Sequence, residues 1–448
     1  MPPPVGFSFC TPPGVSATGN DCGSWNDTST AQVTYYALNA FFEKFPEYLK
    51  NDLFVSGESY AGVYVPMLVK EILADETSGM NLKGFAVGDA CTPPEICGSN
   101  KVGPYWSIEF LYGHGAFSNK LYEAILQGCS QEELAHGDLS SDCQALTSQV
   151  AGEAGPYWVY AYYDDCTYQN DIRRHRHLQS FEALGYAMGD HGSEQASRPY
   201  FGPPLASERD SNHEQMSAAD LDSISTSVLP IPNGYACGAP AAQREWLSLD
   251  VVKEALHVGV DAEFFQCDNG GDFTYELTET DLISWYKEII ATNTLRIMVY
   301  NGDTDPGIMA NQAQNWTRNL GFAETESWRA WTLDSCQRVG GYVTEYENQF
   351  TFLTVRGAGH MVPQMKPEAS LEFITAWMAG DGFKNYDLDC TRPTTRQFPP
   401  GPSDTVISTA TAGGQPESIA QVLESERAQW ALREKQLLSL IAEEQSRN

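Results

Sequence analysis

The sequence has few basic residues, few histidines and no Cys-x-x-Cys pair. Lysine and arginine number 27 against 59 aspartates and glutamates, which gives a formal net charge of -32 at pH 7. Because nucleic acid and anionic membrane surfaces repel so acidic a chain, we expect neither as a partner. The eight histidines do not cluster with cysteines, so we expect no zinc site, and no other metal or cofactor is predicted.

Long apolar runs are also missing. No stretch approaches the length of a membrane span, and residues 1–4, Met-Pro-Pro-Pro, do not resemble a signal peptide. Hydrophobic residues still make up 42% of the chain and aromatic residues 12%, which excludes global disorder. The 448 residues are enough for one large α/β domain with an insertion, or for two domains.

Eleven cysteines are many for a cytosolic enzyme and indicate an oxidising compartment. Two Asn-x-Thr sequons, which begin at Asn26 and Asn315, fit a glycosylated protein of the secretory pathway. Three cysteine pairs are close enough in sequence to close local loops. These pairs are Cys10/Cys22, Cys91/Cys97 and Cys129/Cys143.

Apolar strands alternate with helices in both halves of the chain. Strands are predicted at residues 53–55 and 84–88, with a helix at 60–72 between them. Further helices are predicted at 245–257, 281–292 and 367–378, and further strands at 295–300 and 350–355. This alternation predicts an α/β fold with a mostly parallel sheet.

The middle and the end of the chain have a different pattern. Residues 91–239 contain cysteines and an aromatic run but no clear strand, so they are predicted to form a disulfide-stapled insertion, or cap, on a core of residues 1–90 and 240–383. Within it, residues 170–230 are expected to form an exposed loop. Residues 384–415 are predicted to be a Pro/Thr/Ser-rich linker, and residues 416–446 an amphipathic helix.

Polar residues that could act together follow three of the predicted strands. Ser59 lies where an apolar strand turns into a helix, although Ala61 replaces the last glycine of the usual Gly-x-Ser-x-Gly pattern. Asp303 and Asp305 follow the strand at 295–300, and His360 follows the strand at 350–355. A serine nucleophile needs a base and an acid that orients the base, and the order Ser, Asp, His is that of α/β-hydrolases. The residues alone do not separate Asp303 from Asp305.

Three of these stretches resemble the signature blocks of the serine carboxypeptidases: residues 57–62, 301–305 and 357–363. Residues 5–9 and 254–258 are similar to two further family stretches, and the resemblance covers roughly residues 4–380. It implies an α/β-hydrolase fold with helices on both faces of the sheet, and release of C-terminal residues from peptides. It also implies Ser59, Asp305 and His360 as catalytic residues, with Asp303 structural.

The resemblance also implies residues that bind substrate. Glu58 would receive the substrate α-carboxylate, which requires a proton on one of the two groups and favours acidic pH. Tyr60 would supply one oxyanion-hole amide. Met361 either lines the leaving-group pocket or packs in the core, and His257 is expected to be a packed structural histidine. The expected partners are peptide or protein C-termini.

Family members carry a strand and an Asn-Gly-Gly-Pro-Gly-Cys-Ser-Ser loop upstream of the stretch that matches residues 5–9. That loop holds a second oxyanion amide, so we expect impaired activity in a chain that starts after it. By resemblance, Cys129 pairs with Cys143 and Cys166 with Cys237, while Cys267 lacks its upstream partner. The family further implies a vacuolar, lysosomal or extracellular location.

Two other functions are open at the level of the sequence. Relatives with the same triad pass the acyl group to an alcohol instead of water, so the chain could be an acyltransferase. It could also be a catalytically inactive binding or stabilising protein.

Overall fold

The computed structural model describes residues 5–8, 24–93, 95–98, 103–155, 157–164, 246–262, 264, 274–387 and 390. All of them belong to one compact unit, Met1–Cys390. The predicted loop at 170–230, most of the predicted linker and the predicted helix at 416–446 lie outside these residues. So do Cys10, Cys22, Cys166, Cys237 and Cys267.

Eight strands are assigned in the described residues. They are β1 (Ser24–Asn26), β2 (Leu53–Glu58), β3 (Leu82–Gly88), β4 (Thr274–Glu276), β5 (Arg296–Gly302), β6 (Glu324–Thr332), β7 (Val339–Tyr346) and β8 (Phe350–Val355). Six of them form a central sheet in the order β2-β3-β5-β8-β7-β6. The first four neighbours are parallel, whereas β7 and β6 are antiparallel, and β1 pairs with β4 in a small second sheet. The mostly parallel sheet predicted from the sequence is confirmed.

The helices surround this sheet or belong to the insertion. They are α1 (Asp27–Lys44), α2 (Ala61–Ala74), α3 (Glu95–Gly98), α4 (Tyr105–Gly113), α5 (Asn119–Gly128), α6 (Gln131–His136), α7 (Ser141–Ala154), α8 (Asp250–Ala255), α9 (Leu282–Ala291), α10 (Ala310–Asn319), α11 (Val362–Met365) and α12 (Pro367–Ala379), with a 3-10 turn at Pro46–Lys50. Helix α1 begins where a capping box forms, because the Asn26 side chain accepts the Ser29 N–H and the Ser29 hydroxyl accepts the Asn26 N–H.

Helices pack on both faces of the central sheet, as predicted. Successive side chains of a strand point to opposite faces, so Phe85 of β3 packs on one side and Ala86 on the other. The Phe85 face carries apolar residues of α2, α9 and α10. The Ala86 face is covered by Phe373 and Trp377 of α12.

The insertion has an apolar cluster of its own. Residues of α4, α5 and α7 pack together there around the Cys129–Cys143 disulfide. Cys91 and Cys97 are also paired, and Cys336 pairs with Cys390, for which the sequence offered no partner. The two local disulfides predicted from the sequence, Cys91–Cys97 and Cys129–Cys143, are confirmed. The third disulfide joins the β6–β7 connection to the segment after α12.

Candidate active site

The carboxyl ends of four adjacent parallel strands meet at one edge of the sheet. Ser59 follows β2, Asp89 follows β3, Asp305 follows β5 and His360 follows β8. In open parallel sheets this is the edge where functional groups collect. The topology therefore brings together groups that are up to about 300 residues apart in the sequence.

Ser59 lies on a strained turn between β2 and α2. Its φ is +64°, in the left-handed region that residues other than glycine rarely adopt. A Cβ on Gly57 would lie 2.4 Å from the Ala61 Cβ, and a Cβ on Gly62 would lie 2.7 Å from the Cys91 N. A side chain therefore fits at neither Gly57 nor Gly62, and the absence of a Cβ at Gly57 leaves room for Ala61 in the usual glycine position.

Replacing Gly62 by alanine is expected to destabilise the fold by about 1–3 kcal/mol, because the new Cβ would overlap backbone atoms of residues 90 and 91. Urea unfolding measures the loss. Gly152→Ala is the matched control, since a Cβ at this position of α7 meets no atom within 4 Å. That substitution should be neutral or stabilising by about 0.5–1 kcal/mol. Equal destabilisation by both changes would contradict the role given to Gly62.

Backbone hydrogen bonds hold the Ser59 turn against the end of β3. The Ser59 N–H donates to the Gly88 carbonyl at 2.9 Å, and the Cys91 N–H donates to the Ser59 carbonyl at 3.0 Å. The Cys91–Cys97 disulfide closes the segment that makes the second bond. The strained conformation is therefore fixed from both sides of the serine.

Asp305 and His360 are joined by a short hydrogen bond. His360 Nδ1 lies 2.7 Å from Asp305 Oδ2, and the other Asp305 oxygen accepts the Gly307 N–H at 2.8 Å. Asp305 is fully buried and His360 nearly so. With Nδ1 bound to the carboxylate, Nε2 is the imidazole nitrogen left for proton transfer.

Asp303 makes a different contact. Its Oδ1 accepts the Gly357 N–H at 2.6 Å, so it ties the loop after β5 to the loop after β8. The structure thus places Asp305, and not Asp303, on the histidine.

The carboxylates around His360 affect its ionisation. Burial lowers the pKa of His360, but the charge and hydrogen bond of Asp305, with a further contribution from Glu58, outweigh burial and raise the pKa above its ordinary value. The imidazolium form is therefore stabilised, as a base that must hold a proton during a reaction requires.

Glu58 lies beside this pair. Burial raises the pKa of Glu58 to about 7, with His360 opposing the shift, Asp305 adding to it, and a hydrogen bond from the Val362 backbone lowering it. A carboxyl group with this pKa is largely protonated in mildly acidic solution. The residue before Ser59 can then present a neutral acid at the edge of the sheet.

The Tyr60 side chain points away from the other predicted site residues. Its hydroxyl donates to Asp27 Oδ1 at 2.7 Å, and Tyr275 donates to the same oxygen at 2.8 Å. The other Asp27 oxygen accepts the backbone N–H groups of Thr278 and Glu279 at 2.6 and 2.7 Å. The Tyr60 hydroxyl is therefore occupied by Asp27.

Part of the predicted insertion packs against the histidine loop. The His360 N–H donates to the Tyr160 carbonyl at 2.7 Å, and the Tyr160 ring lies 5.3 Å from the imidazole. Partly buried Met361 packs in the same small cluster, with Trp158 and Met365. The aromatic run that the sequence assigned to the insertion alone thus forms a wall beside His360, and Met361 belongs to it.

Asp89 was not predicted from the sequence. It is fully buried, and its oxygens accept the Gly302 N–H at 3.0 and 3.3 Å and the Asn301 side-chain amide at 3.2 Å. One ligand-type atom each of Asp89, Asp305 and His360 lies within 4.8 Å of the other two. These three buried groups are therefore close enough to affect one another's ionisation. The available signal was the position of Asp89 directly after a buried strand.

His257 differs from its prediction. It is exposed, with φ +57°, at the end of α8, so it is not a packed structural histidine. No helix in the part of the chain that is described is long and apolar enough to cross a membrane.

Comparisons with known proteins place the chain in one family. The family model for serine carboxypeptidases matches residues 1–380. Serine carboxypeptidase-like 20 of Arabidopsis thaliana is 26% identical over 381 residues, which cover 84% of this chain and 72% of the relative. Lysosomal protective protein of Mus musculus is 27% identical over 379 residues, which cover 82% and 73%.

A solved structure is similar in fold. The match is the prohormone-processing carboxypeptidase Kex1(delta)p of Saccharomyces cerevisiae, with a TM-score of 0.51 and 16% identity over 85% of this chain and 73% of that one. At this identity the match supports the α/β-hydrolase fold alone. The family model that matches residues 1–380 shows that the chain belongs to the serine carboxypeptidase family.

Proposed function

We propose that the chain is a serine-type carboxypeptidase that releases C-terminal residues from peptides through an acyl-enzyme on Ser59. The observation that carries the proposal is the buried hydrogen bond between Asp305 Oδ2 and His360 Nδ1, at the sheet edge where the Ser59 turn lies. Family membership makes this reaction class the expected one.

In the proposed mechanism, His360 Nε2 takes the Ser59 hydroxyl proton while Oγ attacks the carbonyl carbon of the last peptide bond. The Tyr60 N–H stabilises the oxyanion that develops. His360 then gives its proton to the leaving amine, the C–N bond breaks, and an ester to Ser59 remains. Water hydrolyses this ester with His360 again as the base, and Asp305 stabilises the imidazolium in both steps.

Glu58 gives the proposal its substrate class. A protonated carboxyl group beside the nucleophile can donate a hydrogen bond to the α-carboxylate of a peptide, whereas an ionised one repels it. Because the pKa of Glu58 is about 7, we infer that peptide hydrolysis is favoured below this pH. Met361 and the Tyr160 wall are proposed to contact the departing residue.

The three disulfides of the described residues support folding in an oxidising compartment. We therefore infer that the protein passes through the secretory pathway, and we propose an acidic vacuolar or lysosomal site, or the extracellular space, as its destination.

Labelling with diisopropyl fluorophosphate tests the nucleophile. We expect one phosphoryl group on Ser59, identified by peptide mass mapping, and none in Ser59→Ala. Adding an alcohol acceptor to an N-blocked dipeptide then separates hydrolysis from acyl transfer, because a transferase would yield the ester. Absence of label on Ser59 would contradict the proposal and favour a binding role.

Replacing Glu58 by glutamine is expected to remove the pH dependence of KM near neutrality. In the wild-type protein, ionisation of Glu58 above pH about 7 should raise KM for a peptide acid by up to about tenfold per pH unit. The amide of E58Q keeps a donor and does not ionise. The matched control is the same peptide with a C-terminal amide, whose KM should not respond to Glu58 in either protein.

The same substitution is expected to change how the stability of the fold depends on pH. The folded-state pKa of Glu58 is raised from 4.5 to about 7, so the wild-type fold is most favoured below pH 4.5 and loses that advantage as the pH rises through 7. E58Q should therefore gain in relative stability between these values. If the unfolding midpoints of the two proteins differ by a constant amount from pH 4 to 8, this assignment is wrong.

A further inference from the structure

Asp89 and Asp305 are two fully buried carboxyl groups at the ends of neighbouring strands, and both lie within 4.8 Å of His360. A side-chain oxygen of Asp89 lies within 4.8 Å of one of Asp305. Two ionised carboxylates buried at this separation repel each other, and a proton on one of the pair removes the repulsion.

The contacts show which of the two holds it. Asp305 accepts from His360 and from the Gly307 N–H, so both of its oxygens are used as acceptors. Asp89 Oδ1 accepts from Asn301 and Gly302, whereas Oδ2 has only the longer 3.3 Å contact to the Gly302 N–H. The geometry leaves Asp89 as the group with an oxygen available to carry a proton.

We propose that Asp89 is a positioning residue that stays un-ionised in the fold, donates its carboxyl proton to Asp305, and so limits the negative charge that acts on His360. Without a proton donated by Asp89, the full charge of Asp305 would stabilise the imidazolium form of His360 more strongly. His360 would then lose its proton, and become able to act as a base, only at higher pH. Asp89 thus extends the working range of the base toward acidic pH. The inference rests on the proposed roles of Asp305 and His360.

The surrounding groups favour the neutral form of Asp89. Burial first, and then the charges of Asp305 and Glu58, raise the pKa of Asp89 well above its ordinary value. Tyr300 also faces the cluster, and burial together with the charges of Glu58 and Asp89 holds its pKa high, so it stays neutral. Among the described residues, no lysine or arginine forms an ion pair with Asp89.

The test compares Asp89→Asn with Asp89→Ala, both in full-length E58Q so that Glu58 does not titrate. The rate of Ser59 labelling by diisopropyl fluorophosphate is measured from pH 4 to 8. The D89N protein keeps a neutral donor toward Asp305. The fall of its labelling rate at low pH, the acid limb of the profile, should therefore match that of the parent protein, E58Q. The D89A protein lacks the donor, so its acid limb should move to higher pH by about one unit, with a rate at pH 5 lower by about tenfold. An unchanged acid limb in the D89A protein would overturn the proposal.

Stability against pH gives a readout that does not need the reaction. If folded Asp89 is un-ionised, the folding constant of the parent relative to the D89N protein falls by about tenfold per pH unit between pH 5 and 7. A ratio that is constant over this range would mean that Asp89 is ionised in the fold, and the proposal would be wrong. This holds even if D89A does not fold. Failure of the proposed function would show separately, as absence of label in the parent.

Discussion

Replacing Asp305 by asparagine is expected to lower the rate of peptide hydrolysis by about 10⁴-fold, which is about 5.4 kcal/mol of barrier. The asparagine fits the same space, but its amide cannot balance the charge of the imidazolium. It also favours the wrong tautomer of His360, since a donor would face Nδ1. Steady-state kinetics with an N-blocked dipeptide measures kcat.

Asp303→Asn is the matched control, because it makes the same chemical change two residues away. The side-chain amide of the D303N protein keeps an oxygen that can accept the Gly357 N–H, so we expect a loss of less than about tenfold. Comparable losses in the two variants would contradict the assignment of Asp305 as the acid that orients His360.

Replacing Asp27 by alanine is expected to cost about 3–5 kcal/mol of stability. The buried Asp27 carboxylate accepts four hydrogen bonds of 2.8 Å or less, from the hydroxyls of Tyr60 and Tyr275 and from the backbone N–H groups of residues 278 and 279. Without it, the two tyrosine hydroxyls and the two backbone N–H groups lose these hydrogen bonds. Because Tyr60 follows Ser59 directly, the labelling rate of the serine should fall as well.

Asp281→Ala is the control for Asp27. The Asp281 side chain caps α9 by accepting the Ser284 N–H at 3.0 Å, in an exposed position. Loss of such a cap costs about 1 kcal/mol. Chemical denaturation of both variants, with unchanged m-values, makes the comparison. Losses of similar size would show that the Asp27 network contributes little.

The parallel strands could be predicted because each contains a short apolar run, and β3, β5 and β8 are buried over most of their length. Strand β8 has the predicted bounds, residues 350–355, and all six of its residues are buried. Strands β6 and β7 were not predicted. Most residues of β6 are exposed and several are charged. Strand β7 contains Gly340, where a Cβ would overlap the Trp331 indole, and Gly341, where it would overlap the Thr354 carbonyl. Such tertiary contacts have no periodic signal in the sequence.

The site was only partly predictable for a related reason. Strand order along the chain indicated Ser59 and His360, since each follows a predicted strand. Asp303 and Asp305 follow the same strand, and only the fold of the turn shows which one reaches the histidine. Asp89 belongs to no recognisable sequence motif. It lies near the other site residues because β3 lies between β2 and β5 in the sheet.

The most direct test is the release of the C-terminal amino acid from an N-blocked dipeptide at pH 5, measured for the free acid and for the C-terminal amide. We predict release from the free acid by the wild-type protein, much slower release from the amide, and none from either by Ser59→Ala. Equal rates for the two substrates, or release by the Ser59→Ala protein, would contradict a Ser59 carboxypeptidase that recognises the substrate carboxylate through Glu58.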